Sequence, residues 1–486
     1  MKEYDIVIGL ETHVQLKTES KMFCRTSAQY FGNTPNSHTC PVCLGLPGAL
    51  PVINEKAIES AVKIGLALNC QINLLSRFDR KNYFYPDLAK GFQISQLELP
   101  ISINGWFLVN NKKIRINRAH MEEDTGKLTH ATVDGEKASL VDFNRCGVPL
   151  LEIVTEPDLS SPEEAKLYAK TLHQTLRYLG VADADMEKAG MRFDANISLR
   201  PKGQKEYGTK VEIKNINSFS YLEKALFFEI SRQLKLLEKG EKISQETRGW
   251  DETSGETKSQ RSKEGSPDYR YFPEPDLPPL TFSKDYVEKI RRQLPEMPAE
   301  KKARFVEAYA LSDYDASLLT ESFEQADWFE QAVKDYARAN KEEKIESSRA
   351  KIVANWMNGE IARNLKNSGK DLSSISFEPA ALVELLFMID NGSITAASAK
   401  EVLEKMFVSG EMPRKIVEEE DLSTLGNKEE LADIVVSTLK TNQKAVDDFK
   451  AGKTASFSFL LGQVMRQAKG KADPGLAAEL LKEKLS

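Results

Sequence analysis

Acidic side chains recur in this sequence where alternation points to strands or strand ends. Glu11 stands two residues from His13, the run His120-Met121-Glu122-Glu123-Asp124 is almost wholly polar, and Glu152 interrupts Pro149-Leu150-Leu151-Glu152-Ile153. A hard divalent cation such as Mg²⁺ is held by a few carboxylate oxygens and completes its shell with water or phosphate. These segments could supply such a site. Glu152 is the most telling, because a carboxylate buried among Leu150, Leu151, Ile153 and Val154 is costly without a metal or cation beside it. The alternative is plain alternation that turns these acids toward solvent. Asp79-Arg80-Lys81-Asn82-Tyr83-Phe84-Tyr85-Pro86-Asp87 sets two cations beside three aromatics. That combination suits phosphates and a stacked base, or an aromatic-clamped loop of structural use.

Cys40-Pro41-Val42-Cys43 has the spacing of half a zinc site, with Cys24 and His38 nearby as candidate third and fourth ligands. A redox pair and ordinary turn cysteines are the other readings. Ala451-Gly452-Lys453-Thr454 imitates the close of a phosphate-binding loop, but Asp447 replaces its first glycine and no strand pattern precedes it. Neither G-x-S-x-G nor H-E-x-x-H occurs, so the commonest serine-hydrolase and zinc-protease signals are missing.

The elements that must position these residues follow from periodicity. Asp5 to Leu16 alternates, with Ile6, Ile8, Leu10, Val14 and Leu16 on one face and Glu11, His13 and Gln15 on the other. Met191 to Arg200 does the same, which sets Arg192, Asp194, Asn196 and Ser198 on the polar side; Lys210, Glu212 and Lys214 line a third such face. Ser161-Pro162-Glu163-Glu164 reads as an N-cap, first-turn proline and capping box opening a helix with a Tyr168, Leu172, Leu176, Leu179 stripe. Asn54 to Leu68 and Ser220 to Lys239 read as helices too. Without a regular βαβ rhythm, the first half is α+β with a largely antiparallel sheet.

Asp251 to Pro279 turns polar and then proline-rich, as an extended loop closing the first domain would. Leu294-Pro295-Glu296-Met297-Pro298 marks a boundary, and Ala299 to about Met406 reads as a helical bundle with a charged connector over Lys341 to Arg349. The domains expected are therefore 1–293, 294–406 and a small helical tail at 407–486. Across 486 residues, Lys plus Arg is 67 against 73 acids, a net −6, with 29% charged and 41% hydrophobic residues. That balance excludes wholesale disorder and a surface coated in positive charge. Residues 441–486 carry eight Lys or Arg against five acids, a local +3 able to meet phosphates. Five cysteines, an odd number, after a start that lacks a secretory pattern predict a reduced, cytosolic setting, and no apolar run reaches the roughly 18 residues of a spanning helix.

Taken together, Val7 to His13, Asp79 to Asp87, His120 to Gly126 and Val141 to Asp158 closely resemble the B-subunit family of aspartyl/glutamyl-tRNA amidotransferases. The likeness continues through Asp194 to Arg200, Lys214 to Phe219 and Asp268 to Asp276, and the tail resembles a YqeY-like domain. The resemblance implies a cradle domain, a helical domain and a tail, working with an amidase A subunit that releases ammonia from glutamine and a small C subunit. It implies that the B subunit uses ATP and Mg²⁺ to phosphorylate the side-chain carboxylate of Glu-tRNA(Gln) or Asp-tRNA(Asn), after which ammonia displaces phosphate. Matched to the family's motifs, Glu11, His13, Glu123 and Glu152 would bind Mg²⁺, with Glu122 and Asp124 as neighbours. Arg80 and Lys81 are candidates for ATP phosphates, and Arg192, Asp194, Asn196 and Lys214 for the cradle wall. One departure bears on zinc. Relatives with the cysteine motif read C-x-C before C-x-x-C, whereas Cys24 is followed here by Arg25 and Thr26, leaving Cys24, Cys40, Cys43 and His38 as the candidate set.

Overall fold

The computed structural model describes residues 4–262, 268–341, 346–424, 428–468 and 471–485. It divides into two compact units, Met1–Met297 and Pro298–Ser486.

In the first unit, the alternation beginning at Asp5 gives strand β1, Tyr4–Gln15, at the centre of a nine-stranded sheet. In chain order the other strands are β2 (Gln71–Ile72), β3 (Ser102–Val109), β4 (Lys112–Glu123), β5 (Pro149–Thr155), β6 (Met191–Pro201), β7 (Val211–Ile216), β8 (Glu246–Asp251) and β9 (Glu256–Ser262). Across the sheet they lie β9-β8-β7-β6-β1-β5-β4-β3-β2, antiparallel except for the parallel pair β7 and β8. The expected α+β class with a largely antiparallel sheet is what the chain forms.

Period-2 patterning divides the sheet into two chemically different faces. On one, Ile8, Leu10, Val14, Leu151, Ile153, Phe193 and Ala195 are fully or almost fully buried. Helices α1 (Glu55–Ala67), α2 (Pro162–Tyr178) and α3 (Phe219–Glu238) contribute to the same core. Each helix starts at a side-chain cap: Asn54 accepts from Ala57 N, Ser161 from Glu164 N and Ser218 from Ser220 N, which satisfies amides that the first turn leaves free. Glu164 departs from the capping box in one respect. Its carboxylate accepts from Ser160 N at 2.8 Å and from Lys112 at 2.7 Å, one residue earlier than the expected return to the cap.

The polar stretch from Asp251 is not one extended loop. It supplies the turn and second strand of the β8–β9 hairpin, while residues 263–267 lie outside the described residues. Beyond them, Phe272–Pro273 pairs with Asp79–Asn82, which also pairs with Phe92–Ser95, making a three-stranded satellite sheet.

The second unit is helical in its described residues, beginning with Pro298–Tyr309. The expected division at 406/407 falls inside the helix Ala396–Ser409. A separate tail core gathers only from Leu431 onward, through Val435, Val446, Leu460, Val464, Leu480, Leu481 and Leu485. Residues 342–345 of the charged connector, and Lys469 of the basic tail, lie outside the described residues. Part of the tail's charge is met locally, as Lys453 pairs with Asp448 and Lys471 with Asp421. Among the described residues no helix is long and apolar enough to cross a membrane.

Candidate active site on the polar face of the sheet

The register of four strands assembles the site. His13 on β1 lies opposite Glu152 on β5 and opposite Arg192 on β6, and Glu152 lies opposite His120 on β4. One row across the sheet therefore reads Arg192, His13, Glu152, His120. Glu11, two residues along β1, lies opposite Asp194, and Asn196 opposite Glu212 on β7.

Two carboxylate groups result. In the first, donor atoms of His13, Glu122 and Glu152 lie within 4.8 Å of one another. Glu152 Oε2 is 3.4 Å from His13 Nε2 and 3.2 Å from His120 Nε2, and Glu122 Oε1 is 3.5 Å from both His120 Nε2 and Lys81 Nζ. Glu122 also accepts from Ser95 Oγ at 2.9 Å and Gln93 Nε2 at 3.1 Å. Burial works against ionising Glu122, but Lys81 and His120 outweigh it and hold the carboxyl down at about 2. Burial is likewise outweighed at Glu152, where His120 and then His13 keep the group ionised. For His120, burial lowers proton affinity, while Glu152 and Glu122 favour a proton on Nε2. Arg118 Nε donates to His120 Nδ1, a bond that only a ring with its lone pair there accepts, so the ring carries its one proton on Nε2.

In the second group, Glu11, Asp194 and Glu212 converge in the same way. Here the protein supplies the cation: Lys214 Nζ is 3.2 Å from Asp194 and 3.1 Å from Glu212. Asn215 N donates to Asp194 at 2.8 Å and Thr247 Oγ1 to Glu212 at 2.9 Å. Glu11 accepts from Asn196 Nδ2 at 2.8 Å, yet burial, reinforced by the charge of Glu152, raises its pKa.

Arg192 is aimed by Asp124, which accepts from both of its terminal nitrogens at 3.3 and 3.2 Å and from Gln15 Nε2 at 2.8 Å. Burial opposes the charge on Asp124, and Arg192 followed by Arg145 outweighs it, leaving the carboxyl far below its ordinary range. Asp124 is thus the anchor of Arg192. Lys81 lies over the rings of Tyr269 and Tyr83, with its ammonium 5.4 and 5.9 Å from their centroids. Phe84 and Tyr85 project outward, 79% and 63% exposed.

Several expected residues do not join. Glu123 faces away, accepting from Ile94 N at 2.9 Å and pairing with Lys90; its place is taken by Glu122. The signal was in the sequence, because strand alternation puts His120 and Glu122 in one phase and sends Glu123 with the core residue Met121. Arg80 and Lys81 are neighbours on one short strand and point apart. Arg80 forms a fork with the fully buried carboxylate of Glu274 at 2.7 and 2.9 Å, reaches Asp276 at 3.1 Å, and stacks 4.3 Å from the centre of Phe92. It clamps Phe272–Pro273 to the satellite sheet and is not free for phosphate. His120, Gln93, Tyr269 and the anchoring role of Asp124 escaped residue-by-residue reading.

The cysteines converge as Cys24, Cys40 and Cys43, all with free thiols, but His38 is not among them. Its Nδ1 lies 3.0 Å from Ser37 Oγ, and its carbonyl accepts from Lys21 Nζ at 2.7 Å. That ammonium, fully buried, stands 3.7 Å from Cys43 Sγ. A hydrogen bond from Cys24 is the chief cause that pulls the Cys43 thiol down to about 5, with Lys21 adding to it against burial. Three sulfurs and a lysine do not make the closed four-ligand set of a structural zinc site.

The first carboxylate group does fit a small divalent cation. Its donors are mostly oxygens, and His13 Nδ1 is buried with no hydrogen-bond partner, as an atom awaiting a ligand would be.

Comparison with known proteins identifies the family. Residues 6–288 match the model of the GatB/GatE catalytic domain, and residues 327–485 match that of the GatB domain. The chain is 49% identical over 491 residues to a Carboxydothermus hydrogenoformans protein named as the B subunit of aspartyl/glutamyl-tRNA(Asn/Gln) amidotransferase, covering 100% of both chains. It is 50% identical over 483 residues to the protein of that name from Thermodesulfovibrio yellowstonii, covering 99% of this chain and 98% of the relative. With the same name, a Dehalococcoides mccartyi protein is 49% identical over 492 residues, covering 100% and 99%. The chain belongs to the family of aspartyl/glutamyl-tRNA(Asn/Gln) amidotransferase B subunits.

Proposed function

We propose that this chain uses ATP and Mg²⁺ to activate the side-chain carboxylate of Glu-tRNA(Gln), Asp-tRNA(Asn) or both, and then exchanges phosphate for ammonia. The observation that carries this reading is the meeting of His13, Glu122 and Glu152 beside the cations Lys81 and Arg192 on one sheet face. A free carboxylate is a poor acyl donor to ammonia. In the first step the γ-phosphoryl group moves to a side-chain carboxylate oxygen and ADP departs. In the second, ammonia's nitrogen bonds to the acyl carbon, phosphate leaves, and the nitrogen loses a proton, giving Gln-tRNA(Gln) or Asn-tRNA(Asn).

Phosphoryl transfer depends on positioning and charge neutralisation, and Mg²⁺ would supply neutralisation of the phosphate oxygens. His13, Glu122 and Glu152 would hold it, with Glu11 beside them. Lys81, fixed by Glu122 and two tyrosine rings, and Arg192, fixed by Asp124, orient phosphate oxygens. Asn196 offers its free Oδ1 to the substrate. Lys214, held between Asp194 and Glu212, forms the wall. Glu11, whose proton affinity is raised, is placed to receive the proton that ammonia releases.

The reading includes an amidase A subunit and a small C subunit as partners, with the helical unit and tail gripping tRNA by backbone and shape. It places the chain where tRNA is charged, in the cytoplasm. Zinc has no part in the reaction; a thiophilic cation on Cys24, Cys40 and Cys43 would be structural.

The test is to assemble the chain with its A and C partners and add Glu-tRNA(Gln), Mg²⁺, γ-labelled ATP and ammonium, which bypasses the amidase. Phosphate release and Gln-tRNA should appear together, and Glu152→Gln should abolish both. Product that survives Glu152→Gln would leave the chain as a tRNA-docking scaffold. Asp-tRNA(Asn) in a parallel reaction sets the substrate range.

A further inference from the structure

His120 takes no part in the steps above, yet it is 4% exposed and its ring lies between two carboxylates of the first group. Arg118 Nε donates to its Nδ1 at 3.4 Å. A guanidinium has only N–H groups to offer, so the ring's lone pair is committed at Nδ1 and its proton sits on Nε2. That Nε2 is 3.2 Å from Glu152 Oε2 and 3.5 Å from Glu122 Oε1. One N–H is therefore shared between carboxylates carried by adjacent strands. A lone pair in that place would face two negative oxygens.

His13 differs in the respect that matters. It touches Glu152 from the other side, and its Nδ1 is buried with no partner. Its ring keeps a nitrogen to give. The ring of His120 has none left.

We propose that His120 is a positioning residue of the cation site and not a ligand: its Nε2–H sets the orientation of Glu122 and Glu152, Arg118 fixes its tautomer, and His13 provides the nitrogen donor. The proposal rests on the cation-site reading given above. Outer partners of this kind orient the ligands, and their loss typically costs ten- to a hundredfold in metal affinity.

The experiment uses Mn²⁺ as the probe, with the full chain in complex with its A and C partners and no ATP or tRNA present. Free Mn²⁺ is followed by electron paramagnetic resonance, and nitrogen bound directly to Mn²⁺ by electron spin echo modulation. His120→Leu should weaken binding by about 10–100-fold, and His120→Gln, which can return an N–H to the same place, should recover most of the loss. The directly bound ¹⁴N signal should vanish in His13→Gln and persist in His120→Gln. If His120→Leu does not fold, the His120→Gln spectrum decides alone. Loss of the ¹⁴N signal in His120→Gln would make His120 a ligand and overturn the proposal. Unchanged affinity in His120→Leu, with binding lost in Glu152→Gln, would overturn it and leave the cation site standing. Unchanged Mn²⁺ binding in both His13→Gln and Glu152→Gln would remove the cation site itself, and this proposal with it.

Discussion

Glu122 and Glu152 share their charge with two histidines and one lysine, whereas Asp194 and Glu212 close around Lys214, assisted by a backbone amide and a threonine hydroxyl. Both groups sit on one face of one sheet. The difference lies in how the acids are balanced. In the second, one ammonium bridges Asp194 and Glu212 and balances them permanently, so the group behaves as wall. In the first, Lys81 pairs with Glu122, while Glu152 meets imidazole N–H groups, which can yield to a cation arriving from solution. Neighbouring acidic clusters thus acquire different uses from the reach of one lysine.

The largest effect that tests this contrast is at Glu152. Glu152→Gln should lower ammonium-dependent amidation by at least about a hundredfold, as loss of a ligand should exceed loss of its outer partner, while Glu212→Gln should retain most of the rate; initial rates of Gln-tRNA formation compare them. Equal losses would erase the distinction between the groups.

A second prediction moves the lysine. Lys214→Met leaves Asp194 and Glu212 facing each other without a cation, a cost of about 1–2 kcal/mol once the 38% exposure of the Lys214 side chain is allowed for. The melting temperature should fall, and added Mn²⁺ should restore it while the number of bound ions rises from one to two. Failure of Mn²⁺ to restore the melting temperature would show that charge balance alone does not decide between the groups.

Acid titration gives a third, smaller effect. Glu122 is depressed from 4.5 to about 2 in the fold, so it binds fewer protons folded than unfolded. Its stabilisation is full above pH 4.5 and is lost as pH falls toward 2. Metal-free Glu122→Gln protein should show a flatter loss of stability over that window, read by urea midpoints at each pH. Glu11, whose pKa is raised, carries the opposite sign: ionised, it detracts from stability, and Glu11→Gln should flatten nothing on the acid side.

The smallest effect is expected on the other side of β4. Cys43→Ser should leave amidation within about twofold of the parent, and dialysed protein should contain zinc well below one ion per chain, because the cysteine group lacks a fourth ligand. Elemental analysis settles the second point.

How much of this could be read beforehand depended on the range of the interaction. The strand at Asp5–Leu16, the helix cap at Ser161 and the polar faces of β6 and β7 are written in neighbouring residues, and so were legible. Glu122 was within reach, since Met121 marks the buried phase of β4, but a motif match pointed to the residue beside it. The Arg80–Glu274 fork joins residues 194 positions apart, and no local pattern announces it. The same is true of Lys21 beside Cys43 and of the β8–β9 hairpin. Its strands are too polar to show an alternating apolar phase, and β8 is recruited to the sheet through a parallel pairing with β7.

The central place of β1 has a consequence for synthesis. Among the described residues its ladder partners are β5 and β6, at residues 149–155 and 191–201. The strand that carries Glu11 and His13 is made before the rest of the sheet and finds its second neighbour only after about 190 further residues, roughly 10–40 s later at ~5–20 residues per second. Until β5 follows at residues 149–155, Ile8, Leu10 and Val14 have no ladder partner to join. The nascent chain must therefore keep the apolar face of β1 shielded for longer than any other part of the sheet, and a ribosome-associated chaperone would find a binding segment there.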